Sequence, residues 1–161
     1  MSESTNLPEH VGIVDLETLA SMSGLDFLHG MLRGELPGPP IAKTLGFALA
    51  EIEEGRAVFV SVPGVQHYNP IRTVHAGYTA TLLDSCMACA VLSTLPKGTA
   101  FTTMEFKVSL LRPMTKDTGP VRAEGTLLSR GRRGATAEGR LTDEKGKLLA
   151  HATTTCLIFD F

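Results

Sequence analysis

Residues 73–96 read TVHAGYTATLLDSCMACAVLSTLP, a run that is almost wholly apolar or small and carries one formal charge, Asp84. Taken as a helix, it is hydrophobic on nearly every side, with Tyr78, Ala80, Leu82, Leu83, Met87, Ala88, Ala90, Val91 and Leu92 spread over all faces. Such a helix belongs inside a protein. The pattern predicts a helix over residues 76–93, buried against the rest of the chain. Asp84 is carried inward with it. Burying an unpaired ionised carboxylate is costly enough that the group neutralises, takes a partner, or is retained for chemistry. His67, Asn69 and His75, just upstream, are the candidate partners.

From Gly98 onward the apolar period becomes two. In TTMEFKVSLLRP (102–113), Met104, Phe106, Val108 and Leu110 alternate with Thr103, Glu105, Lys107 and Ser109, which predicts a strand with one buried and one polar face. PVRAEGTLLSR (120–130) and GATAEGRLTD (134–143) repeat the alternation on either side of a basic turn, and the turn DEKGK leads into a last strand, LLAHATTTCLIFDF (148–161). Ahead of the helix, LGFALAEI, the turn EEGR and AVFVSV predict a hairpin over 45–62, with Gly55 in the turn. Residues 15–34 carry Leu16, Leu19, Met22, Leu25, Leu28 and Met31 and predict one or two short helices as a cover, ended by GELPGPP. Residues 1–14 are polar and irregular and are expected to form a flexible arm. Two strands, a long buried helix and four strands over 100–159 make an α+β domain, residues 15–161, whose antiparallel sheet must curl around the helix.

At 161 residues the chain is one domain and can bury roughly 70% of the surface its unfolded form exposes. A formal charge of -2 gives no electrostatic case for nucleic acid or an anionic membrane, so an anionic ligand has to be held by a local patch. With three cysteines, no leader peptide and no uninterrupted apolar run of membrane length, the expectation is a cytoplasmic protein without disulfides. Cys86 and Cys89 form a C-x-x-C, but it lies well inside the helix rather than at a helix N-terminus, where a thiolate is stabilised, and no second ligand pair accompanies it. They read as small core residues, and no metal or cofactor is expected.

His75 precedes the helix, and Ala76 and Gly77 are small residues in its first turn. The first N–H groups of a helix have no partner within it and sit at the positive end of its dipole, so this terminus can accept a developing oxyanion. Asp84 is nine residues beyond His75, roughly 13.5 Å along the axis. If both serve one substrate, they come from different subunits of a symmetric dimer.

The run HYNPIRTVHAGYTATLLDS (67–85) resembles the signature of hotdog-fold acyl-CoA thioesterases of the PaaI-like, phenylacetate-degradation type, in which Asn-Pro or Asn-Gly precedes H-G-G and an acidic residue lies on the central helix. TTMEFKVSLLRPM (102–114) and GRRGATAEGRLTD (131–143) are similar to that family's following strand and central hairpin, so the likeness spans about 45–158. It implies a hotdog fold: five or six antiparallel strands wrapped around the helix, with an N-terminal helical cover. It further implies hydrolysis of an acyl-CoA thioester, with Asp84 as general base or nucleophile and the Ala76 N–H as oxyanion donor. Asn69 would position the water or carbonyl, and His75 would flank the oxyanion site together with Gly77. The expected partners are acyl-CoA and further copies of the chain, in a dimer or tetramer with shared active sites. The family has Gly where this chain has Ala76, which keeps the backbone donor but narrows the approach.

Each residue has a plainer reading. Asn before Pro is a turn former, and a histidine ahead of a helix often satisfies backbone groups, which applies to His75 and more so to His67. Arg130, Arg132 and Arg133 could be a solvated turn, yet coenzyme A carries several phosphates and a Gly-flanked arginine run suits them. Arg112 and Lys116 are weaker candidates for that role. Two other activities fit the same residues: an acyl-thioester hydratase or dehydratase of the same fold, which needs a paired His and acid, and a non-catalytic acyl-CoA binding module.

Overall fold

The computed structural model describes residues 10–161. Most of the expected flexible arm, residues 1–9, lies outside the described residues. The remainder is pinned: Gly12 N–H donates to Gly38 O and Gly38 N–H to His10 O, both at 3.0 Å. The expected cover is two helices, α1 (Leu16–Ser21) and α2 (Gly24–Leu32), started by Asp15 and Ser23, whose side chains accept from the N–H of Thr18 and Asp26. A third short helix, α3 (Pro40–Leu45), falls outside the expected elements. Its signals are present in the sequence, with Pro40 at the first position and Gly46 ending it at φ 69°.

The hairpin consists of β1 (Phe47–Glu53) and β2 (Arg56–Ser61), and the long helix α4 is Ala76–Leu92. Strands β3 (Thr99–Leu110), β4 (Val121–Arg130), β5 (Gly134–Asp143) and β6 (Leu148–Asp160) complete one antiparallel sheet in the order β1-β2-β4-β5-β6-β3. Helix α4 crosses the middle of this sheet, against β2, β4 and β5. Two glycines paired across strands, Gly125 on β4 and Gly139 on β5, lie beneath it. A Cβ on Gly125 would sit 2.2 Å from Cys86 O, so only glycine lets the helix backbone come this close. No described helix is long and apolar enough to cross a membrane.

Two expectations need correction. The helix is not enclosed on every side. Tyr78, Thr79, Leu82, Leu83, Cys86, Met87, Ala90 and Val91 are buried, a stripe repeating every three to four residues, while Ala80, Thr81, Asp84, Ser85, Ala88 and Cys89 are only partly covered. Six strands cover one side of a helix; the other side, lined by small residues, is left for something else to cover.

The second correction concerns β3. Its pairing with β6 slips between Thr103 and Glu105, making Met104 a bulge. An inserted residue reverses the parity of everything before it. Thr103, expected on the polar face, therefore pairs with the buried Cys156 and points toward α4. Val108 packs partly buried against the core, but the other three apolar residues of the expected alternation are exposed within the chain, Met104 at 65%, Phe106 at 40% and Leu110 at 55%, because β3 is an edge strand extending past the helix.

On the opposite face of the sheet, Glu51 accepts from both Arg56 and Arg122, and Glu124 from the same pair. These contacts hold the Glu51 carboxyl at about 2, with the Arg122 hydrogen bond the largest cause.

Candidate functional site

The segment between β2 and α4 is locked by its own polar groups. Val65–His67 form a single 3-10 turn, Tyr68 and Val74 form an isolated bridge, and Val74 N–H donates to Met114 O. Asn69 organises the tip: its Oδ1 accepts from the N–H of Ile71 and Thr73, and its Nδ2 donates to Thr73 Oγ1 at 2.8 Å. This is turn chemistry, and it occupies much of the side chain expected to position a water. The loop turns back through Arg72, the one non-glycine described residue with positive φ, 68°. Left-handed backbone at a residue with a Cβ is disfavoured and persists where its surroundings hold it.

The two histidines of this segment hold structure. His67 is buried and stacked on Tyr78 at 4.2 Å, its Nδ1 accepts from Gly64 N–H, and burial pushes its pKa down. His75 caps α4: its N–H donates to His67 O, and its Nδ1 accepts from Gly77 N–H at 2.8 Å. In the neutral ring the proton is therefore on Nε2. The Gly77 N–H, expected to help form the anion site, is thus taken by His75. Ala76 N–H has no acceptor among the described residues and is the donor left open. It lines a cavity of about 270 Å³ with Asn69, Thr73 and Thr79, walled by Leu110 to Met114.

Asp84 is not in that wall. It sits eight residues beyond Ala76, about 12 Å along the helix, on the partly covered side of α4. None of the three expected partners touches it. Instead Thr103, delivered by the bulge in β3, donates from Oγ1 to Asp84 Oδ1 at 3.0 Å. No cation pairs with Asp84 among the described residues. Burial raises its pKa, and the Thr103 bond opposes the rise. A carboxylate that is half-buried, unpaired and held by one hydroxyl is suited to take a proton or attack a carbonyl. Thr103 is the site residue that sequence reading missed, since strict alternation assigned it to the far face.

Burial, with Asp84 adding to it, pushes the Cys86 and Cys89 thiols up, which disfavours the thiolate form of both. Among the described residues, no group of three or more His, Cys, Asp and Glu side chains is placed to hold a metal.

The arginine turn is at the other end of α4. Arg130 donates from Nη1 to Thr94 O at 2.7 Å, closing the helix C-terminus, while Arg132 and Arg133 line an open cleft of about 710 Å³. Arg112 donates to Leu148 O, and Lys116 pairs with Asp117 on the surface. Within one chain, then, the free amide, the carboxylate and the arginines are three separate places strung along one helix.

The chain matches the profile of the thioesterase superfamily over residues 71–150. Among solved structures, a phenylacetic acid degradation-related protein from Ralstonia eutropha JMP134 is 34% identical, with a TM-score of 0.74 over 81% of this chain and 98% of its own. The phenylacetic acid degradation protein PaaI of Thermus thermophilus is 27% identical, with a TM-score of 0.66 over 73% of this chain and 97% of its own. A Streptococcus mutans protein whose crystal structure holds acetyl CoA shares the fold at 21% identity, with a TM-score of 0.65 over 71% of this chain and 90% of its own. No curated protein matches the sequence.

Proposed function

Since the chain belongs to the thioesterase superfamily and has the fold of its phenylacetic acid degradation members, we propose that it hydrolyses an acyl-CoA thioester to the free acid and coenzyme A. Asp84 acts as general base on water, or as nucleophile, and the Ala76 N–H is the oxyanion donor. The observation that carries this reading is Asp84 itself: half-buried, without a cation, raised by burial and aligned by Thr103. Water adds to the thioester carbonyl as Asp84 takes its proton, the negative oxygen is held at a helix N-terminus, and collapse expels the thiolate. The leaving thiolate needs little acid help.

A separation of about 12 Å prevents Asp84 and Ala76 of one chain from meeting at one carbonyl. A second copy solves this. Strand β3 is an open edge with exposed Met104, Phe106 and Leu110, a liability unless paired, and the small-residue side of α4 is free to accept another helix. Two copies joined edge to edge, with their helices side by side and antiparallel, bring Asp84 to the partner subunit's Ala76. Such a site has two copies per dimer, and a tetramer repeats it.

Ala76 offers a clean test. It is the first residue of α4, and His75 ahead of it is extended at φ -63° and ψ 139°. Proline is accommodated at that position and after such a residue, so Ala76→Pro removes the N–H while keeping the helix. A loss of about 10²–10³ in kcat is expected. Mixing Ala76→Pro with Asp84→Asn subunits should restore roughly a quarter of wild-type activity, since half of randomly assorted dimers carry one intact shared site. No restoration in exchanged mixtures would place both residues in one chain and overturn the shared site. Saturable acyl-CoA binding without turnover would favour the binding-module reading. Within one chain no histidine among the described residues bonds Asp84, and hydration of an enoyl thioester by the assembled protein would favour the hydratase reading.

A further inference from the structure

One backbone amide is a weak hold on a full negative charge, and oxyanion sites gain their effect from several donors converging on the oxygen. At the head of α4 the Gly77 N–H is taken by the His75 ring, and Asn69 Nδ2 already donates to Thr73 Oγ1. Thr79 lines the same cavity as Ala76. It is only 3% exposed, yet its hydroxyl has no hydrogen-bond partner among the described residues. Its neighbour Thr81 shows the ordinary arrangement in a helix: Oγ1 donates to Gly77 O, four residues back, at 2.9 Å. The equivalent acceptor for Thr79 is His75 O, which already receives the Tyr78 N–H at 3.1 Å. Every fully covered side-chain polar atom among the described residues has a partner, so the Thr79 hydroxyl is not sealed into the core; it opens onto the cavity. A hydroxyl enclosed by protein without a protein partner lowers stability, and valine, of nearly the same shape, would avoid that loss.

We infer that Thr79 is a catalytic residue, its hydroxyl the second donor to the oxyanion that forms at the Ala76 N–H; the inference rests on the thioester-hydrolysis reading above. Residues three apart on a helix share a face, with Cβ atoms about 5–6 Å apart, and their side chains lean toward the N-terminus. The Thr79 hydroxyl is thereby carried toward the Ala76 amide, and one oxygen can lie about 3 Å from both donors. Thr79 lends a hydrogen bond as the carbonyl oxygen gains charge and keeps its proton throughout, including when the carbonyl re-forms and the thiolate leaves. Its position on α4 also fixes which half of the shared site it serves. Thr79 acts with Ala76 of its own chain, and so stands across the carbonyl from the Asp84 that the other subunit contributes.

Thr79→Val tests this with little risk to folding: Tm should hold or rise, because the hydroxyl it removes bonds nothing in the protein. On a series of CoA thioesters kcat should fall about 10²-fold while KM stays within ~3-fold, the pattern of a contact made only in the transition state. Thr79→Ser, which keeps a hydroxyl, should recover most of the lost rate. Subunit mixing assigns the half-site. Thr79→Val with Asp84→Asn should restore roughly a quarter of wild-type activity, and Thr79→Val with Ala76→Pro should restore none, since every dimer of that pair lacks a donor at each site. Trifluoroacetonyl-CoA, a ketone that hydrates to an ionisable tetrahedral adduct and is not hydrolysed, reads the same contact without turnover. Calorimetric titration should show it losing about 10²-fold in affinity for Thr79→Val, with acetonyl-CoA little changed. A folded Thr79→Val protein with kcat within ~3-fold of wild type, equal binding of the trifluoroketone by both proteins, or recovery in the mixture with Ala76→Pro would each overturn the inference. Hydrolysis by wild type that Thr79→Val leaves intact refutes Thr79 and keeps the thioesterase; a wild type that hydrolyses no member of the series, but loses the trifluoroketone on Thr79→Val, does the reverse.

Discussion

Gly125→Ala is expected to be the most damaging single-methyl change in the sheet. Its Cβ would lie 2.2 Å from Cys86 O and 2.6 Å from Met87 N, both backbone atoms of α4. Neither can rotate away. To reach an ordinary contact of 3.4 Å the helix must lift by about 1.2 Å at that turn. Lifting one turn, about 5.4 Å long and 10 Å wide, opens roughly 60 Å³ beneath it, a cost of ~1.4 kcal/mol at 24 cal/mol per Å³. Overpacking strain adds about 1–3 kcal/mol. A total near 3 kcal/mol lowers Tm by roughly 6–12 °C at ~2–4 °C per kcal/mol for a chain of this size. Gly139→Ala is the internal control. There the new methyl meets Met87 Cγ at 2.9 Å and Leu83 Cδ2 at 3.1 Å, side-chain atoms able to shift, so the loss should stay below ~1.5 kcal/mol. Calorimetry at one protein concentration measures both. Because Asp84 precedes Cys86 by half a turn, Gly125→Ala should also lose hydrolysis at temperatures where it remains folded. A Gly125→Ala protein that melts within 2 °C of wild type, or no lower than Gly139→Ala, would refute the close approach of helix and sheet.

Asp84→Asn preserves volume and removes base and nucleophile, so acyl-CoA hydrolysis should fall by ~10²–10⁴ while Tm holds or rises, since a half-buried charge costs more than an amide; hydrolysis within a few-fold of wild type would make Asp84 structural. Thr103→Val removes the bond that lowers the Asp84 pKa, so the acidic limb of kcat/KM should move to higher pH and Thr103→Ser should restore it; an unmoved limb in a folded, active Val variant would deny Thr103 its positioning role. Glu51 has its pKa lowered from 4.5 to about 2, so unfolded chains bind the proton before folded ones do, and its contribution is complete above about pH 4.5 and lost as pH falls toward 2. Its side chain is 45% exposed, limiting that contribution to ~1 kcal/mol. Urea midpoints of wild type and Glu51→Gln should converge between pH 6 and pH 3, and a constant gap would contradict the assignment.

The chain by itself determined the elements other than α3, because their signals are local. The apolar run at 76–93, Gly55 in its turn and the period-two segments after Gly98 each report on neighbours a few residues away. The order of these elements was enough to assign an α+β domain with an antiparallel sheet, and one carboxylate in an apolar helix was enough to single out Asp84. Tertiary structure decided what those residues meet. Thr103 reaches Asp84 because β3 bulges at Met104 and pairs with β6, and no glycine or proline at the bulge marks it in the sequence. Which amide stays open at the helix start depended on whether the His75 ring turned back onto Gly77. The uncovered side of α4 and the exposed edge β3 exist because six strands run out before the helix is enclosed. Periodicity records which residues prefer to leave water; whether the surface that covers them comes from the same chain depends on how far the sheet extends in three dimensions.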